Sequence, residues 1–178
     1  MTSRVRWVRE KHGDEGLRRL KAALSPEHRT RLEQRILPHE WVPFDLFVEL
    51  NVKADALFGT GDLAVVEQMA RYGAEVNLPT LYRIFYKLGT PEFILGKAAR
   101  LWEVHYTSGR LEVEKLEAGG GRLLLRDFET PHPAHCRSVL GWAVRSVELS
   151  GGEVLSYGET ECRTHGDERC VFEVRWRR

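Results

Sequence analysis

At 178 residues, 42% hydrophobic and 30% charged, the chain suits one globular domain, or one domain with a helical extension. No apolar run is long enough to span a membrane, and Met1-Thr2-Ser3-Arg4-Val5-Arg6 leads into a charged helix rather than a signal peptide. The expected location is cytoplasmic, where three cysteines stay reduced and favour metal over disulfide.

The net charge of +1 is unevenly spread. Residues 1–37 carry +5 and the remainder −4. Such a run reads first as solvated helix faces, so nucleic acid is not the expected partner. The sharper alternative is a docking surface for something acidic.

In chain order, residues 3–24 predict a helix interrupted at Gly13 and Gly16, with Leu17, Leu20, Ala23 and Leu24 as an apolar stripe. Ser25-Pro26 restarts a second helix, running to about Ile36 and ended before Pro38. These 37 residues read as a basic helical extension, and residues 38–178 as the main domain. After a turn at Glu40–Pro43, a helix runs through Phe44, Phe47 and Leu50 and breaks at Phe58-Gly59-Thr60-Gly61. Helices follow from Asp62 to Ala74, from Asn77-Leu78-Pro79 (Leu81, Ile84, Phe85, Leu88) and from Thr90-Pro91 to Trp102.

From Val104 the period changes. Residues 110–116 and 122–128 read as strands turned at Ala118-Gly119-Gly120-Gly121. Pro133 to Leu149 is a long helix ended by Gly151-Gly152, and a second hairpin closes the chain. The prediction is an α+β fold: a helical N-terminal half, then ββαββ forming a four-stranded antiparallel sheet with helices packed on one face.

The closing hairpin carries the chemistry. Val154 to Cys162 and Cys170 to Trp176 are its strands, with Gly166 in the turn, so Cys162 and Cys170 stand near each other at its neck. Cys136 lies in the first turn of the long helix, where the dipole should lower its pKa. With Glu159 as a fourth donor, the three thiolates would make a closed tetrahedral site around structural zinc rather than a catalytic one. Arg137, Arg145, Arg163 and Arg169 would offset its charge. Buried cysteines without metal, or a Cys162–Cys170 disulfide, remain open on spacing alone. In a regular strand Glu159 and Cys162 point to opposite faces, so sharing a metal requires a bulge or a strand end between them. His132, His135 or His165 could replace Glu159, but each reads first as an exposed loop histidine.

Glu159-x-x-Cys162, seven residues, then Cys170-x-Phe172, with Cys136 upstream, resembles the zinc site of vinyl-4-reductase-type sensor domains, found in phenol- and xylene-sensing activators. Their superfamily includes haem nitric-oxide-binding and vesicle-tethering domains. With Trp102, Tyr106 and Ser108-Gly109-Arg110, the chain also resembles an uncharacterised paralogous family expanded in myxobacteria. The resemblance implies a zinc-stabilised, non-enzymatic small-molecule-sensing or protein-interaction module in bacterial signalling. A small apolar or aromatic ligand would sit between helices and sheet, with Trp102, Tyr106, Trp142 and Phe85 as candidate lining residues.

Tyr106-x-Ser108-x-Arg110 also matches the motif that grips haem propionates in the haem branch. That branch needs an upstream histidine as axial ligand, and none lies between Glu40 and Val104. A haem-dependent gas sensor, or an enzyme on this scaffold, is therefore the alternative. A homodimer or a complex with a partner protein is expected, partly because Leu17, Leu20 and Leu24 need covering.

Overall fold

The computed structural model describes residues 1–34, 36, 40–88, 90–116 and 119–177, with only the backbone described for 77–88. The inward positions expected of Leu81, Ile84, Phe85 and Leu88, the Pro38 stop and Ala118 lie outside the described residues. The elements are α1 (Thr2–Ala23), α2 (Pro26–Glu33), α3 (Phe44–Phe58), α4 (Ala64–Leu88), α5 (Pro91–Leu95), α6 (Ala98–His105), β1 (Arg110–Lys115), β2 (Gly120–Arg126), α7 (Pro133–Leu149), β3 (Glu153–Glu161) and β4 (Cys170–Arg177). The four strands form one antiparallel sheet in the order β1-β2-β4-β3. The predicted α+β class and its ββαββ half are therefore as expected.

Two boundaries differ. The helix expected to restart at Asn77 continues α4, which passes Pro79 without ending. The helix expected from Thr90 to Trp102 divides at Gly96-Lys97 into α5 and α6. Thr90 caps α5, its side chain accepting the Phe93 N–H. At Gly13 the φ of 69° kinks α1, as glycine there permits.

α7 lies between two cores. One of its faces packs Val139, Leu140, Ala143, Val144 and Val147 on Leu123, Leu125, Phe172, Val174 and Trp176 of the sheet. Its opposite side meets α4, where a Cβ on Gly141 would fall 2.7 Å from the Glu67 carbonyl oxygen. The second core joins α1, α3 and α4 through Trp7, Val8, Leu17, Leu20, Leu24, Leu46, Leu50 and Met69. The stripe at Leu17, Leu20 and Leu24 is thus covered by its own chain, so it gives no reason to expect a dimer. Among the described residues, no helix is long and apolar enough to cross a membrane.

α2 is locked to α3 by one carboxylate. Glu49 accepts from the Ser25 backbone N–H (3.0 Å) and hydroxyl (2.9 Å), and it pairs with His28 Nδ1. The other His28 nitrogen faces Asp45 at 3.5 Å. The Glu49 hydrogen bond raises the His28 pKa above 6.5, against the effect of burial and with help from Asp45 and Glu27. A raised folded pKa stabilises below the unfolded value, and that contribution is lost as pH rises through the folded one. His28→Gln should therefore weaken the protein most below the ordinary histidine value of 6.5 and progressively less as pH rises above it. Urea midpoints of both proteins across that range test this; a gap constant with pH would refute it.

Candidate functional site

Local backbone geometry brings the cysteines together. Cys162 follows the end of β3 and enters a 3₁₀ turn, Arg163–His165, closed by Gly166 at φ 102°. Asp167 holds the turn by accepting the Cys162 N–H at 2.7 Å. The ladder between β3 and β4 shifts register between Glu159 and Glu161. That bulge supplies what two donors three residues apart require. Cys136 reaches them from the first turn of α7, which Pro133 opens and the His132 side chain caps.

The ligand atoms of Cys136, Glu159, Cys162 and Cys170 all lie within 4.8 Å of one another. Cys136 Sγ is 3.9 Å from Cys162 Sγ and 3.7 Å from Cys170 Sγ. A tetrahedron with metal–sulfur bonds near 2.3 Å has edges of about 3.8 Å. The thiols are free and buried, and the Glu159 side is exposed. The acidic thiol is not the one the helix dipole suggested. Cys170 is lowered to about 7, mainly because the Cys136 thiol hydrogen-bonds to it; the Arg163 N–H adds a bond at 3.4 Å. Cys136 is raised by donating that bond and by burial, and Cys162 is raised by burial.

None of the expected arginines turns to this cluster. Arg163 donates to the Phe128 carbonyl, Arg169 pairs with Glu161, Arg137 with Glu67, and Arg145 with Glu75 and Glu148. The three histidines also stay out of it.

One of those histidines builds a second site. His135, expected at the surface, is fully buried, and neither ring nitrogen has a hydrogen-bond partner. Its ring stacks on Phe128 with centroids 4.7 Å apart. Tyr106 (5.1 Å), Phe44 (5.2 Å), Trp102 (5.6 Å) and Phe47 (6.1 Å) meet it at steep angles. Burial, then the nearby Arg4 and His132, lowers its pKa to about 3, so the ring is neutral. Arg4 enters from α1: its Nη2 donates to Ser138 Oγ at 2.5 Å, and its guanidinium lies 5.3 Å from the Phe47 ring centre.

Of the four predicted lining residues, the cage brings together Trp102 and Tyr106, stacked 4.0 Å apart. Trp142 packs instead against the sheet core, and the Phe85 side chain lies outside the described residues. Phe44, Phe47, Phe128 and Arg4 were missed as site residues, and His135 was weighed only as a replacement for Glu159. The available signal was the three-residue spacing of His135 and Ser138, which places both on one face of α7.

The whole architecture, helices included, has solved counterparts. It is the H-NOX fold. An H-NOX protein from S. oneidensis in the Fe(II) ligation state superposes with a TM-score of 0.77 at 9% identity, covering 99% of this chain and 94% of that one. Unliganded Fe(II) H-NOX from K. algicida gives 0.74 at 13%, covering 99% and 94%. An oxygen-binding H-NOX domain related to soluble guanylate cyclases gives 0.69 at 12%, covering 99% and 93%. No protein-family model matches the chain, and no curated protein matches it.

These neighbours correct the expected cofactor. Where their descriptions name a bound centre, it is haem or ferrous iron rather than zinc. Structural zinc therefore does not stand as the cofactor of this fold. Whether haem suits this chain depends on its own residues. Haem iron needs an axial ligand, and His135 is the one buried histidine among the described residues. A metal–nitrogen bond is about 2 Å, yet five aromatic rings centre within 6.1 Å of this imidazole. The propionate-gripping motif is also dispersed. Tyr106 turns into the cage, the Ser108 carbonyl accepts the Trp102 indole N–H at 3.0 Å, and exposed Arg110 pairs with Glu112 at 2.9 Å. The residues as arranged do not fit haem.

Proposed function

We propose that the chain is a non-enzymatic sensing module: a small molecule enters the cage around His135, and the response passes to a partner protein by contact. The unpartnered, buried His135 carries this reading. Each buried polar atom left unsatisfied costs about 1–3 kcal/mol, and a phenylalanine would fill the same space without that cost. A group that weakens the empty fold has a role when something binds. The H-NOX fold supports a sensing role in general, one neighbour being described as oxygen-binding, but neighbours described by their haem or ferrous iron favour the haem reading below over this one.

Phenol as a probe tests it through the thermal midpoint and the tryptophan fluorescence, to which Trp102 of the cage contributes. Both should move in a saturable way for the native chain. His135→Phe should melt higher by about 1–3 kcal/mol of added stability and lose the response. A native chain that ignores phenol and other small aromatics would defeat the reading.

A haem sensor is the second reading, favoured by one feature of this chain: His135 is neutral and unpartnered, the state in which imidazole ligates iron. Like any ligand entering the cage, haem requires Phe128 and Tyr106 to move away. Expression with excess haem should give no stoichiometric Soret band; a band lost in His135→Leu would put this reading first.

We also propose Cys136, Glu159, Cys162 and Cys170 as a metal-ligating set, since their ligand atoms all lie within 4.8 Å of one another. The identity of the ion is a matter for elemental analysis.

A further inference from the structure

We propose that Glu159 is the exchangeable member of the metal-ligating set: the three thiols hold the ion, and a thiolate from solution takes the place of Glu159. This inference rests on Cys136, Glu159, Cys162 and Cys170 being a ligand set, and it names the donor that joins them.

The four ligands are not equally placed. Cys136, Cys162 and Cys170 are 1%, 3% and 1% exposed, whereas Glu159 is exposed. Each thiol stands on fixed backbone. Cys136 belongs to the first turn of α7, the Cys162 N–H donates to Asp167, and Cys170 lies opposite Leu125 in the ladder between β2 and β4. Polar groups also support two of the sulfurs. The Thr164 hydroxyl is 2.9 Å from Cys162 Sγ, and the Arg163 N–H donates to Cys170 Sγ at 3.4 Å. Ligands supported in this way keep their orientation and hold an ion more tightly.

Glu159 has no such support. It lies on β3, an edge strand of the sheet, at the register shift between Glu159 and Glu161. Its hydrogen bond is to the Cys162 thiol, within the set itself. Among the described residues no cation and no backbone N–H holds its carboxylate. Arg163 and Arg169, on the same hairpin, are committed to the Phe128 carbonyl and to Glu161. Open space adjoins it, since a Cβ on Gly158 would meet nothing within 4 Å. A released Glu159 carboxylate would return to water, whereas a released thiolate would be left buried and unpaired. Glu159 is therefore the ligand that yields first, on the side that solvent reaches. Ions that thiolates retain favour sulfur over oxygen, so a thiolate from solution displaces the carboxylate more readily than water does. Both donors carry one negative charge, so the exchange leaves the charge of the site unaltered. The bond to the Glu159 oxygen breaks, a bond to sulfur forms, the thiol proton goes to solvent, and no electron is transferred.

The test uses cobalt(II) alone as the probe ion on the full chain, read by its thiolate charge-transfer band. Mercaptoethanol should raise that band saturably by about a third, one thiolate being added to three. Glu159→Ala should keep the band and respond at lower thiol concentration, because no carboxylate competes. Glu159→Cys should show the raised band from the outset and ignore added thiol. A native band that thiol leaves unchanged, or abolishes by removing the ion, would overturn the exchange and leave the ligand set standing. Loss of the band in Glu159→Ala would make the carboxylate a holding ligand and would equally overturn it. A native chain that gives no band with cobalt(II) would remove both the exchange and the set.

Discussion

Cys170→Ala is expected to abolish metal binding and to lower the thermal midpoint steeply. The cluster places three thiols and a carboxylate within 4.8 Å of one another, and Arg137, Arg145, Arg163 and Arg169 all turn elsewhere. Without a cation at most one of these thiols ionises readily, namely Cys170, because the other two are pushed upward. A bound ion would tie the start of α7 to the hairpin of β3 and β4, and its binding energy would count as folding energy. A loss of order 5 kcal/mol, about 10–20 °C for a chain of this length, is expected. Protein purified without added metal should carry one ion per chain, and chelator should bring the native midpoint down to that of the variant. Metal-free native protein that melts unchanged in chelator would remove the site. Since His135 precedes Cys136 in the same helical turn, loss of the ion should also loosen the cage, which weakened phenol binding by the variant would reveal.

The two hairpins and α7 are legible from period alone, because alternation and 3.6-residue spacing are local properties of the chain. The bulge at Glu159–Glu161 is not, since register is set by the facing strand. For the same reason the spacing could state the condition for a shared metal but could not meet it. Arg4 and His135 escaped for a different cause. Charged and imidazole side chains read as solvated unless something nearby says otherwise, and their partners, Ser138 and the cage aromatics, come from α3, α6, α7 and the segments after α6 and β2. Tyr106-x-Ser108-x-Arg110 shows the reverse case. The motif is intact as sequence, yet the structure sends its three residues to three different tasks. The H-NOX fold was within reach of the sequence only as one branch of a suspected superfamily, and the cofactor inferred from a cysteine pattern did not follow from the fold.

Asp55→Ala should cost about 3–5 kcal/mol, a large share of the 5–15 kcal/mol that holds a typical domain together. Asp55 is 1% exposed on α3, and its carboxylate accepts the backbone N–H groups of Leu63 at 2.9 Å and Val65 at 3.0 Å. Those donors open α4, where the helix has no internal acceptors for them and the dipole favours a negative charge. No cation pairs with this carboxylate among the described residues, so the two N–H groups and the helix end are what stabilise it. Alanine would leave the Val65 donor buried and the Leu63 donor part-buried, both unmatched, at about 1–3 kcal/mol for the buried one and less for the other. It would also release Leu63 from a φ of 65°, a conformation a leucine holds only when its surroundings insist. Asp55→Asn keeps one acceptor oxygen and should lose about half as much. Urea unfolding of the three proteins should show the midpoint falling in that order with an unchanged slope, the sign that stability rather than compactness has altered. A loss under about 1 kcal/mol for alanine would mean that water or a shifted turn satisfies the donors. The start of α4 would then owe its position to Val65, Val66 and Met69 packing in the helical core, not to the buried carboxylate.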